Sequence, residues 1–180
     1  MLTQFPARRH ATLVVQHMPE KFTASFAARL NAQCNVEVKE AEDGDHVVDG
    51  RVLLAPGGHH MVLRKAGERY FVQLKDGPPV YHQRPSVEVM FDSVTKCAAK
   101  MAVGAILTGM GADGARALLA MRQAGARTLA QDERTSVVWG MPGEAVKCGA
   151  AERVVPLDDV TSHLMEMSHF TSSGQSHRAA

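Results

Sequence analysis

The chain has 180 residues, 45% hydrophobic and 22% charged, a balance suited to one folded core and far from that of a disordered polar chain. Twenty Lys and Arg stand against 19 Asp and Glu, and a net charge of +1 gives no general attraction to nucleic acid or anionic lipid. Three scattered cysteines without CxxC spacing, no apolar run near the ~18 residues of a membrane span, and no signal-peptide core in MLTQFPARRH lead to the expectation of a cytoplasmic protein without membrane insertion.

In chain order, the β-branched run TLVVQ (12–16) reads as a central strand stopped by Pro19. Phe22, Phe26 and Leu30 then share the face of a helix expected to pack on the sheet. VLLA (52–55) is a second buried strand, closed by Pro56-Gly57-Gly58, and the runs 61–63 and 70–74 flank Gly67 as a small β-hairpin. A helix is expected over 86–101 with Val87, Met90, Phe91 and Val94 inward, then a strand over 103–107, a glycine-rich turn over 108–114 and a helix over 115–123. Segments 127–130, 144–147, 153–156 and 160–167 continue the alternation. The pattern predicts an α/β fold, doubly wound, with a mostly parallel sheet, helices on both faces and a small β-hairpin. One domain over 1–167 is expected, with 168–180 as a disordered tail ending in SSGQSHRAA.

Ligands of such sheets lie outside the carboxyl ends of the strands, which singles out His17, the APGGHH turn (55–60) and TGMGADG (108–114). A histidine and an aspartate at neighbouring strand ends form the base and orienter of a hydrolytic triad, so His17 and Asp113 are the candidate pair. The plainer alternatives are a half-exposed strand-end histidine and an aspartate capping the next helix. His59 and His60 carry no metal expectation, because adjacent side chains diverge on a strand and no further ligand stands at a suitable spacing. The turn 109–114 also fits GxGxxG, with Asp132 about 20 residues further on, and so leaves a dinucleotide-binding module as an alternative. A carboxylate at Asp113 would repel a pyrophosphate there, whereas the same glycines suit a turn that aims N–H groups at an oxyanion.

Six strings in order, VVQHMP (14–19), FTASFAARLN (22–31), LLAPGGHHM (53–61), HQRPSVEVMF (82–91), ILTGMGADGA (106–115) and AQDERTSVVWGMPGEAV (130–146), resemble the chemotaxis protein-glutamate methylesterases. The resemblance covers most of residues 12–157. It implies a doubly wound α/β hydrolase that cleaves methyl esters of glutamate, and deamidates glutamine, on the cytoplasmic helices of methyl-accepting chemotaxis receptors, with no cofactor. It assigns His17 as base, Asp113 as its orienter, and the backbone N–H of Met110, with that of His17, as oxyanion donors. Arg84, Arg134 and Trp139 lie in matching motifs and are expected to contact substrate.

The family's nucleophilic serine stands in a glycine-rich turn some 25 residues before its QHMP motif, whereas the 16 residues before His17 contain no serine. The first strand and the serine turn are therefore expected to be missing from this chain. Ser25, Ser86, Ser93 and Ser136 do not fall in a strand-to-helix elbow, and Thr108 reads as a structural hydroxyl. A receptor-binding pseudoenzyme is the alternative that follows.

Overall fold

The computed structural model describes residues 1–7 and 10–173, with side chains described up to His169. Where the sequence suggests one core, the chain divides within a helix into two compact units, Met1–Ser93 and Val94–Ala180.

The first unit holds β1 (Thr12–Val14), α1 (Glu20–Asn31), β2 (Glu37–Glu40), β3 (Arg51–Leu54), a hairpin of β4 (His60–Ala66) and β5 (Arg69–Lys75), and most of α2 (Val87–Ala98). Its three parallel strands lie in the order β1-β3-β2, with Thr12 opposite Val52 and Val38 opposite Val52 on the other side. β3 is the central strand; β1, expected in that position, is an edge of this sheet among the described residues, and its side chains are half-buried. Its apolar composition alone does not separate a central from a covered edge position. β2 gives no signal in the sequence, because EVKE alternates charge with a single valine, and only Val38 of the strand is buried.

The inward face of α1 also differs from the expectation. Thr23 and Ala27 are buried, while Phe22 is 46% exposed and Phe26 and Leu30 are half-buried. Small residues face inward because the chain approaches closely there: a Cβ on Gly57 would stand 2.3 Å from the Glu20 Cα. Lys21 and Arg29 lie over the Phe22 and Phe26 rings at 5.3 and 5.4 Å, so the aromatic face is partly covered by its own cations. The expected hairpin is present with strands longer than the apolar runs, so that only two residues connect them, opened by Gly67 at φ 56°, where an L side chain is disfavoured. On α2, Val87, Met90, Phe91 and Val94 are all buried as their spacing predicts. Ser86 caps it, its hydroxyl accepting the Val89 N–H at 3.4 Å.

In the second unit, β6 (Val103–Ile106), β7 (Arg127–Gln131) and β8 (Arg153–Val155) form a parallel sheet in sequential order. Helices α3 (Ala115–Gln123) and α4 (Met141–Lys147) follow β6 and β7, and α5 (Val160–Ser173) closes the unit. All three helices pack on this sheet, over a core of Ile106, Leu118, Met121, Leu129, Ala145 and Met167. Gly104 admits α3, since a Cβ there would meet the Leu118 side chain at 2.6 Å. α5 runs beyond residue 167, with Met167 and Ser168 buried; of the tail expected over 168–180, residues 174–180 lie outside the described residues. None of the described helices is long and apolar enough to cross a membrane.

Candidate active site

The expected catalytic pair is divided between the units, His17 in the first and Asp113 in the second.

His17 is half-buried and lies between β1 and α1, just ahead of Met18 and of Pro19, which caps α1. The turn after β3 abuts this segment. Gly57 donates its N–H to the Thr23 hydroxyl at 3.1 Å, and that hydroxyl donates to the Glu20 carbonyl at 2.9 Å. The Gly58 N–H is accepted by the Arg84 carbonyl at 3.2 Å, and the exposed Arg84 guanidinium donates to the Gly77 carbonyl at 2.7 Å. Arg84 thus buttresses the APGG turn through its main chain.

The adjacent histidines have separate fates. His60 is buried, with Nε2 against the Pro78 carbonyl at 3.1 Å and Nδ1 accepting the Ser86 N–H at 3.3 Å, a pattern that fixes its tautomer as Nε2–H. His59 Nδ1 lies 2.8 Å from Asp76 Oδ1 at the surface. Among the described residues no group of His, Cys, Asp or Glu side chains is arranged to hold a metal.

In the second unit Asp113 is 1% exposed, in the turn between β6 and α3. Gly114, at φ 86°, occupies the N-cap of α3, so the capping position weighed for Asp113 belongs to its neighbour. Gly111 also has φ 86°, and the two glycines let the backbone turn back sharply around the buried carboxyl. Met110 projects outward, 81% exposed, and its backbone N–H has no hydrogen-bond partner among the described residues. That is the state an oxyanion donor requires before substrate arrives.

A second loop, residues 132–140, holds this turn from the side. The Thr108 hydroxyl donates to the Val138 carbonyl at 3.0 Å and accepts the Val138 N–H at 2.9 Å. Both capacities are spent on main chain, as the structural reading of Thr108 expects. Gly109 donates to the Val138 carbonyl at 3.1 Å and accepts the first N–H of α4, from Met141, at 2.7 Å. Trp139 bridges to Gly109, is half-buried, and sends its indole N–H to the Gln131 carbonyl at 3.2 Å. Gly140 allows the approach, because a Cβ there would stand 2.7 Å from the Gly109 oxygen and 2.9 Å from the Gly111 nitrogen.

The loop's own turn is an Asp132–Thr135 motif. Asp132 Oδ1 accepts the Thr135 N–H at 3.0 Å and its hydroxyl at 2.5 Å, and the hydroxyl bond, foremost, holds the Asp132 carboxyl below the usual carboxylate range. That engagement turns towards its own loop the carboxylate that the dinucleotide alternative needs for a ribose. Arg134 is 79% exposed, its Nε 3.9 Å from Asp132 Oδ2. The structure therefore brings Met110, Asp113 and Trp139 into one corner of the second unit, with Arg134 on the adjoining loop. Sequence reasoning missed Gln131, Val138 and Gly140; an Asp followed three residues later by Thr was the available signal for the turn.

The candidate serines are tied up locally. Ser25 donates to Phe22 at 3.0 Å, Ser93 to Met90 at 2.6 Å and Ser136 to Asp132 at 2.7 Å, all to carbonyls. Ser25 and Ser93 thus lie within α1 and α2, Ser86 at the cap of α2, and Ser136 in the 132–140 loop between β7 and α4.

The chain matches the family model described as CheB methylesterase over residues 1–164. It is 56% identical over 165 residues to protein-glutamate methylesterase/protein-glutamine glutaminase 2 of Rhodospirillum rubrum, covering 92% of this chain and 46% of that protein. The corresponding protein 3 of Shewanella oneidensis is 58% identical over 165 residues, with 92% and 46% covered. The chain thus spans about half the length of the curated relatives it matches. A crystal structure of the Thermotoga maritima CheB methylesterase catalytic domain superposes with a TM-score of 0.89 at 34% identity, over 92% of this chain and 88% of that one. Family model, relatives and superposition agree with the order of motifs along the sequence, and the chain belongs to the CheB methylesterase family.

Proposed function

We propose that this chain supplies the histidine and the aspartate of a protein-glutamate methylesterase and protein-glutamine glutaminase acting on the cytoplasmic helices of chemotaxis receptors. The observation that carries the reading is the fully buried Asp113 in a tight glycine turn that exposes Met110, in a chain more than half identical to proteins of that name.

In the proposed reaction a serine attacks the ester carbonyl of a methylated glutamate while His17 takes its proton, and Asp113 holds the imidazole in the tautomer that can accept it. The Met110 N–H donates to the oxyanion. His17 returns the proton to the departing methoxide, which leaves as methanol, and water attacks the acyl-enzyme by the same route to give the glutamate and restore the serine. From a glutamine the leaving group is ammonia. The serine is assigned to a turn ahead of His17 that residues 1–16 do not contain. Arg84, Arg134 and Trp139 are proposed contacts for the receptor helix around the ester.

The test is methanol release from methylated receptor by a version of the chain preceded by the serine turn. His17→Ala or Asp113→Ala should lower turnover about 10³- to 10⁴-fold. Unchanged turnover in either variant overturns the assignment. Receptor binding without any release by the unsubstituted version would instead identify a binding protein that does not hydrolyse.

A further inference from the structure

Gln131, the last residue of β7, is a fully buried primary amide, and such a group has an acceptor and two donors to satisfy. Its Oε1 accepts the Thr108 N–H at 2.9 Å. Its Nε2 donates to the Thr135 carbonyl at 2.8 Å and approaches the Thr135 hydroxyl at 3.3 Å. Its main-chain carbonyl takes the Trp139 indole N–H. One residue thus ties the start of the 108–114 turn to two points of the 132–140 loop, and the bond to Thr108, 23 residues away along the chain, is one that no local pattern announces.

We propose that Gln131 is a positioning residue: it sets the 108–114 turn, and through it the Met110 N–H and the Asp113 carboxyl, without touching substrate. The inference rests on the catalytic reading of that turn given above. The direction of the bonds makes the amide specific. A glutamate of the same shape would set a carboxylate oxygen against the Thr135 carbonyl, and a methionine would fill the volume with neither bond. A protonated glutamate would restore both, its carbonyl accepting from Thr108 and its O–H donating to Thr135, and burial raises the pKa of a carboxyl so that this form persists into mild acid.

The primary experiment uses the 180-residue chain and the nitrogen–proton NMR spectra of wild type, Gln131→Glu and Gln131→Met. Trp139 is the only tryptophan, so its indole N–H is a single assignable reporter beside the amides of Met110 and Gly111. The expected result is displacement of these three signals in Gln131→Glu at neutral pH, return towards wild-type positions in mild acid, and displacement at every pH in Gln131→Met. Should Gln131→Met fail to fold, reversal in Gln131→Glu still decides the matter. Wild-type positions for all three signals at neutral pH in a folded Gln131→Glu chain overturn the proposal. In the serine-bearing version Gln131→Met should lower kcat about a hundredfold with KM nearly unchanged, since small displacements of a reacting constellation act on the transition state. Displaced spectra together with a His17→Ala enzyme of unaltered turnover would retain Gln131 as the organiser of the turn and reject only the catalytic reading.

Discussion

Gly57 approaches the first turn of α1 so closely that a Cβ on it would lie 2.3 Å from the Glu20 Cα and 2.6 Å from the Glu20 nitrogen. Backbone cannot step aside as a flexible side chain does. Gly57→Ala should therefore destabilise the chain by about 1–3 kcal/mol or more, as overpacking does. It should also shift the segment that carries His17, three residues before Glu20. A urea midpoint within error of wild type would show that the turn after β3 does not press on α1 as described.

The Ser93 hydroxyl accepts the Leu63 N–H at 2.8 Å in the interior while donating to the Met90 carbonyl. Ser93→Ala removes both of these bonds from the interior. The expected cost is about 1–3 kcal/mol, read from the unfolding midpoint, with faster hydrogen exchange at the Leu63 amide as its local sign.

Gly140 borders main chain on two sides, the Gly109 oxygen and the Gly111 nitrogen. Gly140→Ala has to push the 109–111 turn, so in the serine-bearing version methanol release should fall by about tenfold or more. Trp139 emission should change in the same variant, because the indole neighbours this corner. Wild-type turnover together with wild-type emission would contradict the close approach.

Glu152 gives a dependence on pH. Arg127 donates to its carboxylate through Nε at 2.6 Å and Nη2 at 2.5 Å, and these bonds, foremost, hold the Glu152 carboxyl below its ordinary value. A depressed carboxyl contributes stability that is present above the unfolded value of about 4.3 and is lost as pH falls through the lower folded value. Glu166, bonded by Arg153, is lowered in the same sense. Wild type should therefore lose more of its urea midpoint between neutral pH and about pH 3 than Glu152→Gln does. Equal losses in the two proteins would remove the contribution assigned to this pair.

The alternation of strands and helices can be read from the sequence because it is written in local pattern. α3 falls on the residues expected of it, and the inward positions of α2 follow their spacing. Features set by distant neighbours are not legible in this way. The edge position of β1 depends on β3 arriving beside it, and the inward face of α1 depends on the Gly57 approach, which favours Thr23 over Phe22. α4 begins on Met141-Pro142-Gly143, a poor helix-forming string that is stabilised by the Gly109 carbonyl and buried packing. At the candidate site, the order of motifs singles out His17, Asp113 and Met110, while Gln131 emerges only when its partners at Thr108 and Thr135 are seen.

In the first unit the middle strand of the sheet leaves the chain after both of its neighbours, since β3 comes to lie between β1 and β2. Folding must close the span from Thr12 to Val52, less than twice the span from Val103 to Arg127 that pairs β6 with β7. Loop-closure entropy grows only logarithmically, about 0.6 kcal/mol for each doubling of length. The detour through α1 and β2 therefore costs less than the ~1 kcal/mol net contribution of one hydrogen bond. Chain connectivity alone gives neither sheet a decisive advantage in forming first.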